Sequence, residues 1–367
     1  MKSDPSIEAL ALPHVAAMRG YVPGMQPTEP GWVKLNTNEN PFPPSPLVIR
    51  AIERELVDEA RGLRLYPNPT SAPLRKAIAE HHVLEESQVL VGNGCDDVLN
   101  LLIRVFSSAD KATGMAVPSY SLYTTLRSIQ GAPLTEVSFD SSMELPIDAI
   151  ANCGANIFFL TSPNAPTGIH FPPEQVVELM EKFPGILVVD ETYAPFAATD
   201  CVSLLDEYPR LVIVRSFSKA YSLAGMRVGY ALGNPMTIDL LDRVRDSYNL
   251  DRLAQAAGLA ALKDQAYHQE VITKCNQQRK LAEADYTRRG WFYYKSEANF
   301  HFVEPVNGAG EKGKLVAQDL FQYLTDNQIL VRAFPNHALT QSYLRISVGS
   351  AEEMKRLGEI LDQWQKK

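Results

Sequence analysis

Between about residue 46 and residue 255, short apolar runs alternate with segments of helical periodicity, and no other feature limits the possible folds as strongly. Val89-Leu90-Val91 reads as a strand and Gly92-Asn93-Gly94 as a turn; Val98, Leu101, Leu102, Val105 and Phe106 then recur at helical spacing. Further strands are expected at 113–117, 157–160, 186–189, 211–214 and 228–232. Several are apolar at nearly every position, as strands covered on both faces must be. The expectation is an α/β fold: a large domain with a mainly parallel sheet between helices.

After about residue 255 the texture changes. A helix is expected over 274–289, strand-like segments at 291–294 and 300–303, and a second helix over 314–325 leading into 329–332. Residues 343–348 alternate, with Leu344, Ile346 and Val348 on one face. Ser350-Ala351-Glu352-Glu353 has the form of a capping box opening a last helix. This reads as a smaller α+β domain. The expected division is an arm over 1–40 packing with the small domain, a large domain over 41–255 and the small domain over 256–367.

The chain is 45% hydrophobic and 21% charged, an ordinary globular balance. Its formal net charge is -8 and no run of Lys and Arg exceeds two residues, so a nucleic-acid or anionic-membrane surface is not expected. Cys95, Cys153, Cys201 and Cys275 are scattered, with no C-x-x-C pair, which excludes a zinc ribbon or a dithiol motif and suits a reducing cytoplasm. No metal site is expected. Asp4, Glu8 and His14 interrupt the N-terminal stretch and argue against a signal peptide; no apolar run is long enough to span a bilayer.

Five segments carry chemistry. Ser216-Phe217-Ser218-Lys219 follows a buried strand and leads to Gly225-Met226-Arg227. Lysine forms an imine with an aldehyde cofactor, and the serines and Arg227 suit a phosphate beside it. Asp190 ends an apolar strand, at the edge where ligands bind in open α/β sheets. It suits a protonated pyridine nitrogen, with Tyr193 at the ring hydroxyl; taken alone, Asp190 reads equally as a magnesium ligand or a helix cap. Gly92-Asn93-Gly94-Cys95-Asp96 joins a strand to a helix, so the Cys95 and Asp96 amides suit an anion. It is neither a dinucleotide fingerprint nor a P-loop. Tyr120 suits stacking on a flat ring, and Asn164, in the Ser162–Gly168 turn, suits a ring hydroxyl; taken alone, plain packing and a plain turn are the commoner explanations of the two.

Taken in order, the segments resemble fold-type I pyridoxal-phosphate-dependent aminotransferases, and more narrowly the histidinol-phosphate aminotransferase family. Lys34-Leu35-Asn36-Thr37-Asn38-Glu39-Asn40-Pro41, Leu65-Tyr66-Pro67 and Tyr343-Leu344-Arg345-Ile346-Ser347-Val348-Gly349 extend the match to nearly the whole chain. The resemblance implies pyridoxal 5'-phosphate bound to Lys219, which also shuttles the proton. It implies Asp190 at the pyridinium and Tyr120 on the ring. Cys95, Asp96, Ser216, Ser218 and Arg227 surround the phosphate. Tyr66 reaches the neighbouring subunit's cofactor, which makes a homodimer with shared sites. Arg345 clamps the α-carboxylate, and Tyr21, Asn38 and Arg332 face the substrate. The implied reaction is L-histidinol phosphate with 2-oxoglutarate, giving imidazole acetol phosphate and glutamate in histidine biosynthesis.

Three departures stand out. Ala165 occupies a position where the family often has Asn, leaving Asn164 as the substitute. Cys95 stands where Ser or Ala is commoner. Ser247 replaces a proline in a stretch that also carries Asp251 and Arg252, which bears on substrate preference. The alternatives are an aromatic amino acid aminotransferase, a phosphoamino-acid decarboxylase, and a non-catalytic regulator binding an amine or the cofactor.

Overall fold

The computed structural model describes residues 7–18, 20 and 24–367. After β1 (Val33–Lys34), the principal sheet is built from β2 (Val89–Gly92), β3 (Thr113–Val117), β4 (Leu134–Ser138), β5 (Ile157–Thr161), β6 (Ile186–Asp190), β7 (Leu211–Ser216) and β8 (Gly229–Gly233). Their spatial order is β2-β8-β7-β6-β5-β3-β4. Only β8 runs antiparallel to its neighbours, so the carboxyl ends of the other six share one edge. The sequence reading did not find β4. It is an edge strand, half-exposed and mixed in polarity, so it has neither a continuous apolar run nor clean alternation.

Helices cover both faces. Leu187, Val189, Leu211 and Ile213 enter a core with Ile78 of α1 (Ala72–His82), Leu179 of α2 (Pro173–Lys182) and Ala257 of α3 (Arg252–Lys263). Val188, Val212 and Val214 point the other way, into a core with Leu102 of the helix Cys95–Phe106, Leu126 of Leu122–Gln130 and Leu241 of Pro235–Val244. Each such side chain contributes roughly 1.5–3 kcal/mol by burial. Two-sided burial of this kind is why these strands read as continuous apolar runs.

The second unit holds β9 (Phe292–Tyr293), β10 (Phe300–Glu304), β11 (Ile329–Leu330), β12 (Arg332–Ala333) and β13 (Leu344–Ser347). An antiparallel sheet of order β12-β13-β10-β9 packs against Lys314–Asp326 and Ala351–Trp364 through Leu320, Leu324, Leu344, Ile346, Leu357 and Leu361. The 329–332 segment that follows the second helix holds two short strands. β11 pairs with β1 in parallel, which joins the N-terminal arm to this unit, whereas β12 pairs with β13. The capping box is made at both ends: Ser350 Oγ accepts from Glu353 N at 3.3 Å, and Glu353 Oε2 accepts from Ser350 N at 2.7 Å.

α3 runs through residue 255, where the sequence reading divides the units, and packs on α1 and on Pro46–Glu55 before it ends at Lys263. There α4 (Gln265–Arg288) begins, a helix about 36 Å long at 1.5 Å per residue. Arg279 on it donates to the carbonyls of Phe196 at 3.4 Å and Ala298 at 3.0 Å, fastening the two units together. No helix among the described residues is long and apolar enough to cross a membrane.

Candidate active site

At the shared carboxyl edge, under the small unit, lies a cavity of about 350 Å3. The ends of β2, β3, β5, β6 and β7 supply Cys95 and Asp96, Tyr120, Thr161, Asp190 and Tyr193, and Ser216, Ser218 and Lys219. The 217–228 connection between β7 and β8 carries Lys219 and Arg227. Antiparallel neighbours need no helical crossover, so this connection is free to form the cavity wall. The small unit and the arm close the cavity with Arg332, Phe334 and Arg345 and with Asn36, Thr37, Asn38 and Glu39.

Lys219 Nζ donates to the carbonyl of Thr37 at 2.8 Å. Its side chain is partly open to the cavity, yet enclosure by protein pushes the amine down to about 8, and the charge of Arg345 adds to that; Glu39 opposes it. Asp190 is buried. Its Oδ1 accepts from Thr192 N at 3.1 Å and Thr192 Oγ1 at 2.7 Å, and its Oδ2 from Tyr123 Oη at 2.9 Å. Burial raises the Asp190 carboxyl, while these bonds pull it back.

Gly94 opens the helix Cys95–Phe106 with φ +82°, a conformation that side chains rarely adopt. A Cβ there would stand 2.5 Å from Arg227 Nη2, so the turn and the guanidinium meet because Gly94 has no side chain. Arg227 donates to Asp96 Oδ2 at 3.1 Å and Ser218 Oγ at 3.4 Å, and Tyr120 Oη donates to Asp96 Oδ1 at 3.2 Å. The Cys95 thiol donates to the Arg215 carbonyl at 3.1 Å, and burial pushes it far above the usual thiol range. Its side chain packs beneath the turn, and a Cys at this position leaves the turn's backbone free for an anion.

Asn38 Nδ2 donates to Tyr193 Oη at 2.9 Å, and Ser347 Oγ donates to Asn38 Oδ1 at 2.9 Å. Arg332 and Arg345 stand directly opposite each other on β12 and β13, and both line the cavity. Like charges in that register destabilise a sheet, so the pair points to an anionic ligand between them. Arg345 is aimed by the Asn36 carbonyl, 2.8 Å from its Nη2, and by the rings of Phe300 and Phe334, whose centroids lie 5.3 and 5.5 Å from its guanidinium carbon.

Of the expected site residues, Tyr21 lies outside the described residues. Asn164 does not line the cavity: its Nδ2 is held inside its own turn by Thr167 Oγ1 at 3.0 Å and the Pro118 carbonyl at 3.3 Å. Ala165 lines the wall instead and brings only a methyl group. Tyr66 is 77% exposed, stacked on Tyr248 with centroids 4.4 Å apart, and away from this chain's own cavity. Asp251 caps α3 by accepting from Ala254 N at 2.8 Å, and Arg252 pairs with Glu55 at 3.3 Å and donates to the Tyr66 carbonyl at 3.3 Å. Neither lines the cavity. The sequence reading missed Tyr123, Thr161, Thr192 and Glu39. Tyr123 lies one helical turn beyond Tyr120, and Thr192 two residues beyond Asp190, so their spacing from recognised residues was the available signal.

Residues 30–361 match the model of the family described as aminotransferase class I and II. The chain belongs to that family. A histidinol-phosphate aminotransferase of Geobacter sulfurreducens is 41% identical over 344 residues, covering 93% of this chain and 95% of its own length. One from Geotalea daltonii is 42% identical over 344 residues, covering 94% of this chain and 96% of its own. The solved histidinol-phosphate aminotransferase of Sinorhizobium meliloti, in complex with pyridoxal-5'-phosphate, superposes with TM-score 0.82 at 28% identity and covers 91% of each chain.

Proposed function

We propose that this chain is a pyridoxal-phosphate-dependent aminotransferase that moves an amino group from L-histidinol phosphate to 2-oxoglutarate. The observation that carries the chemistry is a single cavity holding an amine of lowered pKa, a buried carboxylate, an anion-ready helix start and a cross-strand arginine pair. The choice of substrate is supported by relatives above 40% identity that bear that activity's name over nearly their whole length.

The donor set fits the cofactor. The Cys95 and Asp96 amides, Ser216, Ser218 and Arg227 would hold its phosphate, beside the glycine cradle that a Cβ would fill. Tyr120 would stack on the ring and Tyr193 would meet the ring hydroxyl. Asp190 would hold a proton on the pyridine nitrogen, because the three hydrogen bonds it accepts favour its ionised form. When bound, the group supplies an aldehyde carbon for the amine and a ring that withdraws electrons from it.

The remaining work belongs to the chain. Lys219, whose amine gives up its proton near neutral pH, carries the cofactor and then takes and returns the substrate's Cα proton. Arg345 grips the anionic group nearest that carbon with its planar fork, which suits carboxylate and phosphate oxygens alike. Arg332 would take the group further out, the part that the resemblance also gives to Tyr21, while Asn38 holds the Tyr193 hydroxyl. The small unit roofs the cavity and limits the water that reaches Lys219.

The reading includes a homodimer in which Tyr66 serves the neighbouring site. An exposed Tyr66 that lies off its own cavity, with Ile49, Leu56, Val57, Leu63 and Leu65 also exposed, supports it. It also places the protein in the cytoplasm, in keeping with four free thiols. The test is a donor screen of purified, cofactor-loaded protein with 2-oxoglutarate, comparing histidinol phosphate with phenylalanine, tyrosine and phosphothreonine. Glutamate formed fastest from histidinol phosphate upholds the reading. Faster turnover of phenylalanine or tyrosine replaces it with an aromatic aminotransferase, and carbon dioxide released from phosphothreonine replaces it with a decarboxylase.

A further inference from the structure

Asp190 and Ser216 face the cavity, and alternation turns the residue just after β6 and the residue before Ser216 on β7 to the opposite face of the sheet. Those residues are Glu191 and Arg215, and they meet there. Arg215 Nε and Nη2 donate to Glu191 Oε2 at 3.0 and 2.7 Å, and Nη2 also lies 2.8 Å from Asp200 Oδ2. Glu191 Oε1 accepts from Cys201 N at 2.7 Å. The arginine and glutamate side chains are only 9% and 1% exposed. On β8 the direct partner of Arg215 is the buried Tyr230, and the preceding residue on that face of β7, Ile213, belongs to the same core as Tyr230.

This cluster is joined to three separate pieces of the cofactor site. The 191–201 loop is tied at its start by Glu191 and at its end by Asp200 and Cys201, and between them it carries Thr192 and Tyr193 into the cavity. Thr192 makes two of the three hydrogen bonds that Asp190 accepts. Arg215 directly precedes Ser216, and its carbonyl takes the Cys95 thiol at 3.1 Å, while the same thiol lies 3.6 Å from Thr192 Oγ1. The pyridine-side carboxylate, the phosphate turn and the start of the lysine loop therefore converge on one ion-pair cluster, buried at Arg215 and Glu191 and half-exposed at Asp200, whose three charged residues do not line the cavity.

We infer that Arg215, Glu191 and Asp200 are positioning residues for the cofactor site, which fix Thr192 against Asp190 and hold the β7 end against the Cys95 turn. Burying the Arg215–Glu191 pair is a costly way to gain stability alone, since an apolar replacement often does as well. The cluster's value lies in geometry. Arg215 offers a rigid fork, and only a pair of carboxylates set at the two ends of the 191–201 loop meets it. Cutting the fork frees the loop to shift, and Thr192 moves with it.

The inference rests on the cofactor reading of the same cavity, and the experiment separates the two. Apo-protein is titrated with pyridoxal phosphate, following the fluorescence of the protein and the visible band of the bound cofactor across pH. Glu191→Gln and Arg215→Lys are expected to weaken binding by roughly tenfold or more, the scale on which outer partners of a ligand shell act. Both should also move the pH midpoint of the visible band, because Asp190 loses its fixed partners. Asp200→Asn, at the half-exposed end of the cluster, keeps the Glu191 bonds and the fold, and should do the same to a smaller, measurable degree. Leu205→Ala, a cavity cut into the neighbouring core, serves as the stability control. It should lower the melting temperature of the apo-protein while leaving affinity and band unchanged. Variants that lose melting temperature but keep wild-type affinity and band midpoint overturn the inference. If Glu191→Gln and Arg215→Lys fail to fold, unchanged affinity and midpoint in Asp200→Asn overturn it. Wild-type protein that takes up no pyridoxal phosphate overturns the cofactor reading, and this inference with it.

Discussion

The Lys219 amine donates to the Thr37 carbonyl across 2.8 Å, so the loop after β7 and the arm that precedes the large unit meet at this nitrogen. That contact lies in an enclosure which, with the charge of Arg345, pushes the amine down to about 8. The neutral amine is the nucleophile, and its share grows as pH rises toward and past that value. Covalent uptake of pyridoxal phosphate by apo-protein should therefore accelerate with pH up to about 8 and level off above it. Stopped-flow absorbance measures the rate, and borohydride reduction with peptide mapping locates the label. A rate that does not change with pH, or a label on another lysine, is incompatible with this assignment.

Tyr123, after Thr192, helps to hold the Asp190 carboxyl down against its burial. Burial already raises the carboxyl, and the bond from Tyr123 Oη at 2.9 Å is one of those that lower it again. Tyr123→Phe removes that bond, so Asp190 takes up its proton at a higher pH than before. The acid limb of the pH–kcat profile should shift upward, while activity on the alkaline side is retained. Leaving the carboxylate one bond short should also destabilise the protein by about 1–3 kcal/mol, read as a lower melting temperature. An acid limb unchanged in Tyr123→Phe would remove Tyr123 from this role.

Much of the fold was legible because strands covered on both faces leave continuous apolar runs; β3, β5, β6 and β7 begin where the runs begin. Their ends were less legible. Asp190 and Ser216 complete β6 and β7 although both are polar, because the cavity replaces the apolar layer at that edge. Edge strand β4 left no signal, and the break between β11 and β12 depends on which neighbour each piece finds. In the site, residues fixed by chain order were readable and residues fixed by folding were not. Asn164 has the chemistry for a ring hydroxyl, but Thr167 and Pro118 claim its amide, a competition settled only in three dimensions. Arg215 and Glu191 sit beside recognised residues, yet their sequence separation of 24 hid the pair.

Gly229 tests the phosphate turn from behind. A Cβ at this position would lie 2.4 Å from the Cys95 nitrogen and 2.5 Å from the Gly94 carbonyl carbon, and these are backbone atoms that cannot rotate away. Gly229→Ala should displace the turn and weaken pyridoxal phosphate binding by at least about tenfold, the equivalent of 1.4 kcal/mol. Gly233→Ala, at the other end of the same strand, would meet nothing closer than 3.6 Å and should bind as the wild type does. Equal affinities for the two variants in a titration of apo-protein would show that the turn does not hold the phosphate.

Tyr66 lies on the surface, stacked on Tyr248, with its backbone carbonyl held by Arg252. If it completes the neighbouring subunit's site, Tyr66→Phe loses one hydrogen bond to a charged group and should weaken cofactor retention by roughly 1.5–3 kcal/mol. Two inactive preparations should also rescue each other. Lys219→Ala mixed with a variant disabled around Tyr66 forms hybrid dimers, each with one intact site, and should regain up to a quarter or so of wild-type activity. Sedimentation gives the oligomeric state. A fully active monomer, or no recovery on mixing subunits that do exchange, would exclude the shared site.

The arginine pair explains how one cavity takes two unlike donors. Glutamate offers a carboxylate beside the reacting carbon and a second carboxylate further out. Histidinol phosphate offers a phosphate ester and an imidazole. Arg345 is aimed by the Asn36 carbonyl and by two aromatic faces, and its fork grips either anion with two bonds. A lysine at that position is a point charge that keeps attraction but loses orientation. Arg345→Lys should therefore slow both halves of the reaction, each measured by single-turnover absorbance with one donor alone. Arg332 stands directly across β12 and β13, and its removal also relieves the like-charge repulsion. Arg332→Ala should leave the protein at least as stable and should hit the two donors unequally, with the larger loss for glutamate, whose distal carboxylate has no counterpart in the imidazole. Equal losses for both donors would place Arg332 at the common anion rather than at the far end. Unchanged rates in Arg345→Lys would mean that orientation is set elsewhere in the cavity.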